Sequence, residues 1–402
     1  MRRAMMPSLA LAAALALAGQ AQAQEIVVTG KSLKQTEADL KACLERKCPP
    51  DEDIKATLAH AENLFVAGDY KNSRATLKSS IGRNKRHGEA FPVPVSDLLR
   101  ANGRIAEQMG EAKDFQLSVL DMRDTLKKGF GENDFRTLVA QIEVGDSRAK
   151  LGFPDEAERI YQQVEERALA AGQPRVASFA RLRQALQWRG RFDMAPNRRN
   201  LDELNKRLDV LITQPLPESS DFALAAEVIK AKADRKGGSD ASTAALIKRF
   251  AEQGGASKPV LLYAEPLVRD DLTTGRPETE PNLNTLNRLT ALQARNQWAD
   301  IGFWIGADGR ITEVDVLRTD GDTSWLKPVV SNIQKRVYAP LKKDEGSAPG
   351  FYMIERYTLT ARFESGNTGT RLRRREATPR IERIDLTPEN YEAPSSKAPS
   401  TS

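Results

Sequence analysis

At 402 residues the chain exceeds one ordinary domain, and 29% charged with 40% apolar residues describes globular rather than fibrous or membranous material. The net charge of +6 is small for this length and drops to +4 without Arg2 and Arg3, which argues against a nucleic-acid partner. Two or three domains are expected.

The first residues read as an address. "MRRAMM" is cationic, Ser8 to Ala18 is an apolar run of 11 residues, and Ala21-Gln22-Ala23 offers a small-residue cleavage site. That pattern is a secretory signal peptide over residues 1–23. A bilayer span needs roughly 20 apolar residues, so a cleaved leader is favoured over an anchor, and no cysteine stands at the cleavage point to take a lipid. The expected location is the periplasm.

Residues 24–55 hold two features. "EIVVTG", Glu25 to Gly30, is β-prone yet has no neighbouring strand. "LKQTEADLKACLER" follows with helical character, and Pro49 and Pro50 are expected to end that helix. Cys43 and Cys48 are the only cysteines, and in an oxidising compartment a local disulfide is the natural outcome. Free or metal-bound thiols are the alternative, although no further Cys or clustered His completes a coordination set.

Residues 56–213 contain a repeat. Gly68, Gly110 and Gly152 are spaced by 42 residues, with Ala61, Gly103 and Gly145 seven before them and Leu77, Val119 and Tyr161 nine after. A small residue lets two helices approach, glycine permits the tight turn, and the bulky residue closes the contact, so each copy predicts a helical hairpin. A decayed fourth copy is expected through "LRQALQWRGRFD", followed by an amphipathic helix with Leu201, Leu204, Leu208 and Leu211 that caps the stack. Residues 214–256 read as a connector with its own short helices, "FALAAEVIKAKA" and "STAALIKRFAEQ".

From 257 the period changes. "WADIGFWIGADGRITEVDVLRTDGD" carries Asp308-Gly309, a hairpin signal for a two-residue type I′ turn. Counting out from it pairs Ile305 with Thr312, Phe303 with Val314 and Ile301 with Val316 on one face. A helix with Leu326, Val329, Val330, Ile333 and Val337 on one side is expected next, interrupted early by Pro328, and then the strand "FYMIERYTLTARFE". Hairpin, helix and strand make a small α+β unit over 257–364. Residues 365–402, with "RLRRRE" and "APSSKAPSTS", are too polar to order themselves and are expected to be a disordered tail.

Catalysis finds no support: there is no Gly-x-Ser-x-Gly, phosphate loop or His-Glu-x-x-His. His60 and His87 are the only histidines and lie in the helical region as packing or surface residues. A non-enzymatic protein without metal or cofactor is expected.

The glycine-centred hairpins resemble tetratricopeptide repeats in a longer variant. Residues 297 to 364 resemble the C-terminal domain of the TonB energy transducer, on Gly302-Phe303-Trp304-Ile305, Gly309-Arg310-Ile311 and Val314-Asp315-Val316. They depart from it in "RVYAPLKK" after the helix, and no Pro-rich spacer is present. The expected fold class is therefore a tetratricopeptide-like all-α solenoid followed by a small TonB-like α+β domain. "EIVVTG" resembles the TonB box, the receptor peptide that adds a strand to that domain. The resemblance implies protein-binding roles for Ile26, Val27 and Val28 as ligand strand, and for Tyr357, Leu359, Ala361 and Phe363 along an accepting edge. Arg356 and Arg362 would protect that edge in part, and residues 258–268 are a candidate to cover it. The alternative for the hexapeptide is a plain terminus or a strand within its own domain. Two functions follow: a periplasmic scaffold binding protein partners of the cell envelope through its repeats and by strand addition, or a non-anchored accessory of TonB-dependent transport that engages receptors or TonB.

Overall fold

A computed structural model describes residues 31–265, 267, 297–342, 350–361 and 380–388. The stretch 1–23 read as a leader, the hexapeptide with Ile26, Val27 and Val28, Arg362 and Phe363, and the arginines of "RLRRRE" lie outside these residues.

α1 (Leu33–Glu45) starts at Ser32, whose hydroxyl accepts from the Gln35 amide at 3.2 Å. It stops before the prolines rather than at them. Pro50 opens α2 (Pro50–Val66) at its first position, where a missing N–H costs nothing. Between the two helices Cys43 and Cys48 form a disulfide, with Cα atoms 5.2 Å apart.

Stacked helical hairpins follow: α3 (Tyr70–Asn84), α4 (Pro92–Gln108), α5 (Ala112–Phe130), α6 (Phe135–Lys150) and α7 (Pro154–Ala170), with a short 3-10 turn at Lys85–His87. Gly68, Gly110 and Gly152 join α2 to α3, α4 to α5 and α6 to α7, all with positive φ. Each closes its helix with the same pair of bonds, as in Gly68 N to Phe65 O at 2.9 Å and Asp69 N to Leu64 O at 2.8 Å. The paired residues also meet as the spacing requires. A Cβ on Gly145 would overlap the Tyr161 ring, one on Gly103 would come within 3.3 Å of Ser118 Cβ, and Ala61 and Leu77 share one core cluster.

The fourth copy keeps its hairpin but not its glycine. α8 (Pro174–Met194) runs through Gly190 and turns at Ala195–Asn197 into the next helix, while Gly172, at φ +67, joins α7 to α8. α9 (Arg198–Thr213) buries Leu204, Leu208 and Leu211, but it caps nothing. α10 (Ser220–Lys236) places Ala226 and Ala233 in the same cluster, and α11 (Ala241–Glu252) packs beyond it, so the stretch read as a connector continues the helical packing. No helix among the described residues is long and apolar enough to cross a membrane.

The sheet region comprises β1 (Leu261–Tyr263), β2 (Gln297–Gly306), β3 (Ile311–Asp320), α12 (Leu326–Gln334), β4 (Val337–Tyr338), β5 (Gly350–Thr360) and β6 (Arg380–Asp385). One antiparallel sheet has the order β3-β2-β5-β6, and β1 pairs with β4 apart from it. Phe303 pairs with Val314 and Ile301 with Val316, but Ile305 pairs with Ile311 across a register shift. Only Gly309 of the turn has positive φ, at +80, and Gly306 N reaches Arg310 O at 2.8 Å. Asp308 avoids the left-handed region, so the loop takes an extra residue and a bulge instead of a type I′ turn. β3 is an edge strand, and Val316 is 46% exposed.

Three further expectations are corrected. Pro328 lies in the first turn of α12, where no amide partner is lost, and it interrupts nothing. Val337 belongs to β4, not to the helix. Residues 380–385, read as part of a disordered tail, form β6 along β5, because Arg380-Ile381-Glu382-Arg383-Ile384-Asp385 offers two isoleucines and main-chain partners to the side of β5 that β2 leaves unpaired.

Candidate functional site

The sheet has two covered faces. Ala299, Ile301, Phe303, Ile305 and Tyr357 pack with Leu326, Val329 and Ile333 of α12. The opposite face presents a row of cross-strand neighbours, Arg318, Asp300, Arg356 and Ile384, and it docks on the end of α2.

That docking contact is charged and dry. Arg356 and Asp300 are both fully buried. Arg356 Nε donates to Asp300 Oδ1 at 2.6 Å and its Nη2 to Oδ2 at 2.9 Å, while Arg318 Nε reaches Oδ2 at 2.9 Å. Both arginines then donate to the last carbonyls of α2: Arg356 to Phe65 and Val66, the latter at 2.7 Å, and Arg318 to Val66 at 3.0 Å. A helix C-terminus carries partial negative charge and unsatisfied carbonyls, so it suits two guanidinium groups. Burial works against the charge on Arg356, and the hydrogen bond to Asp300 overcomes it. Arg356 also lies 4.1 Å over the Trp298 ring, which itself fills the space where a Cβ of Gly68 would stand. Tyr70, whose hydroxyl meets Thr358 Oγ1 at 3.1 Å, completes the contact. The repeat glycine therefore serves twice, as a turn and as the seat of a tryptophan.

A second seam joins α10 to β1 and β4, where Val228 and Ala231 pack with Leu262 and Ala339. Nearby Arg336, 3% exposed, donates to Glu355 at 2.8 Å and to the Tyr357 hydroxyl at 2.6 Å. Burial, then the Glu355 carboxylate, push the Tyr357 phenol well above its ordinary range.

A cavity of about 640 Å³ is lined by Leu58, Glu62 and Phe65 of α2, Ala101 and Arg104 of α4, and Ile384 of β6 among others. Its floor is apolar. Glu62 stands exposed at the opening, with its carboxyl raised by partial loss of solvent, and Arg104 is likewise exposed. Arg380 Nη2 donates to the Glu107 carbonyl at 2.9 Å and fastens β6 to the neighbouring end of α4.

The residues expected to form an accepting edge do not form one. Tyr357 is 1% and Ala361 4% exposed, and Leu359 pairs with Ile381 of β6 on one side and Gln297 of β2 on the other. The edge is covered by 380–385 and not by 258–268. Arg356, read as an edge guard, is fully buried at the junction, as is Asp300. His60 is buried with Nδ1 3.3 Å from Thr36 Oγ1, a packing position, and the half-buried His87 accepts from Arg86 at 3.1 Å. Among the described residues the one cluster with metal-ligand types is Cys43, Cys48 and Glu52, where both sulfurs are already bonded to each other.

Asp300, Arg318, Arg336 and Glu355 were not singled out from sequence. For the three strand residues the signal was a charge within a strand, which looks the same when the face is solvated, and Arg336 lies between α12 and β4.

No family model matches the chain and no curated protein matches it. Among solved structures, the crystal structure of BtubC (BKLC) from P. vanneervenii aligns with a TM-score of 0.41 and 9% identity, covering 59% of this chain and 98% of that one. A likeness at that level carries no argument about function.

Proposed function

We propose that this chain is a non-enzymatic, exported scaffold that binds a protein partner, with a tetratricopeptide-like helical array joined to a sheet domain similar to that of TonB. The observation that carries the reading is the cavity of about 640 Å³ between α2, α4 and β6, with an apolar floor and the exposed Glu62 and Arg104 at its edge. Such a surface suits an apolar side chain or two from an extended or helical peptide, oriented by charges at the rim. The transport reading draws less support, because β6 already pairs along β5 where a box peptide would add. Strand addition would have to use an outer edge of the sheet, on β3 or β6.

The test is capture from a cell-envelope fraction by wild type, by Arg104→Glu and by Ala101→Trp. Arg104 is exposed, so its replacement leaves the fold intact. Proteins retained by wild type and lost by both variants are the expected result. If both variants keep the same proteins, the cavity is not the binding site. If TonB-dependent receptors are retained by all three, the transport reading replaces this one.

A further inference from the structure

The turn from α1 into α2 brings three ligand-type side chains together. α1 closes at Arg46, and past it Lys47, at φ +55, takes the left-handed position. Lys47 N then donates to Leu44 O and Cys48 N to Cys43 O, each at 3.1 Å. This pair of bonds sets the third residue from the helix end against the second residue past the cap, so that their side chains meet. Here those residues are Cys43 and Cys48, with Cα atoms 5.2 Å apart. Main-chain bonds thus hold the two side chains together as well as the disulfide does, and opening the disulfide leaves two thiols side by side.

Glu52, in the first turn of α2, supplies a third group: one of its carboxylate oxygens and both sulfurs lie within 4.8 Å of one another. Arg46 Nη2 donates to Oε2 of that carboxylate, which leaves Oε1 to a further partner. Cys43 is 3% exposed, whereas Cys48 is half-buried and Glu52 exposed, so the group opens to solvent on the Cys48 side. Two thiolates and a carboxylate make a three-ligand set that suits zinc, with water in the fourth position. Zinc–sulfur bonds of about 2.3 Å hold two sulfurs about 4 Å apart, which side chains on fixed Cα atoms can reach. The partial negative charge at the end of α1 favours a cation there as well.

We propose that reduction of the Cys43–Cys48 bond converts this turn into a zinc site with Cys43, Cys48 and Glu52 as ligands. An external dithiol attacks the accessible Cys48 sulfur, Cys43 leaves as a thiolate, and the second thiol of the reagent displaces Cys48 as the reagent closes into its own disulfide. Two electrons and two protons pass to the protein. Zinc then binds both sulfurs and Glu52, and the two thiol protons are released. A disulfide oxidant reverses the exchange: it takes two electrons, the Cys43–Cys48 bond forms again, and zinc leaves. The site is therefore closed where thiols are oxidised and open where they are kept reduced. This inference does not depend on the cavity reading above.

The experiment is titration of the full chain with cobalt(II), a coloured stand-in for zinc, before and after reduction with a phosphine that is removed under argon. Reduced wild type should take up a single ion, with thiolate-to-cobalt charge-transfer absorption and the visible bands of a tetrahedral site, and added zinc should bleach both. The oxidised chain should show neither. Glu52→Gln should keep the charge-transfer band and weaken binding about tenfold or more. Glu45→Gln, which alters an exposed acid at the end of α1, should bind as wild type does. No uptake by the reduced wild type, with or without loss of helix by circular dichroism, overturns the proposal. So does uptake by the oxidised chain, or equal affinity of wild type and Glu52→Gln.

Discussion

Asp300→Ala isolates the charge that holds sheet and helices together. Asp300 and Arg356 are fully buried, and the Arg318 side chain is 22% exposed. Removing the acid leaves both guanidinium groups with the α2 carbonyls and the Trp298 ring but no anion. Breaking a buried pair from one side costs about 3–5 kcal/mol, and the helix terminus returns about 1 kcal/mol of that, so a net loss of about 2–4 kcal/mol is expected. Asp300→Leu combined with Arg356→Met and Arg318→Met removes all three charges and should cost less than the single change. The assay is urea unfolding followed by far-UV circular dichroism and tryptophan fluorescence, fitted with separate transitions because the chain has several cores. With m of about 2 kcal/mol/M, the sheet transition should move down by about 1–2 M. A shift below about 0.3 M, or a triple variant less stable than Asp300→Ala, would refute the argument that this junction is an electrostatic clamp.

Gly68 and Gly152 share positive φ, but only Gly68 faces Trp298, whereas a Cβ at Gly152 meets open space. Gly152→Ala should therefore cost about 1 kcal/mol of backbone strain, and Gly68→Ala clearly more, with altered Trp298 fluorescence; equal thermal shifts would show that the ring is not seated there. Burial holds the His60 imidazole below its ordinary value, so the unfolded chain takes up the proton first on acidification. The contribution of neutral His60 is complete above pH 6.5 and is lost as pH falls below it towards the folded value. Amide exchange in α1 and α2 should speed up over that window in wild type and not in His60→Gln, and identical profiles would exclude the effect.

The helical hairpins were legible because their determinants are local. A turn glycine, a small residue seven before it and a bulky one nine after are all read within one copy, and all three copies hold. The fourth copy was legible only as decayed, because its turn at Ala195–Asn197 between α8 and α9 carries no glycine. At Asp308-Gly309 the dipeptide fits both a two-residue turn and the bulged loop that forms, so the outer register was legible and the tip was not. Asp300 alternates with apolar residues as solvent-facing charges do, and Arg356 follows a second charge, Glu355. Only the distant α2 end, more than 200 residues away, turns that face into an interior.

β6 also sets an order of events. β5 lies between β2 and β6, and of the described elements β6 is the last to leave the ribosome. With synthesis at about 5–20 residues per second, the 25 residues from Thr360 to Asp385 take about 1–5 s. Through that interval β5 has an unmatched side carrying Tyr357 and Leu359, the sort of surface chaperones intercept. A proteolytic cut between Ala361 and Arg380 followed by loss of the fragment would make the interval permanent. The sheet would then change from one completed by its own chain into one that takes a strand from another.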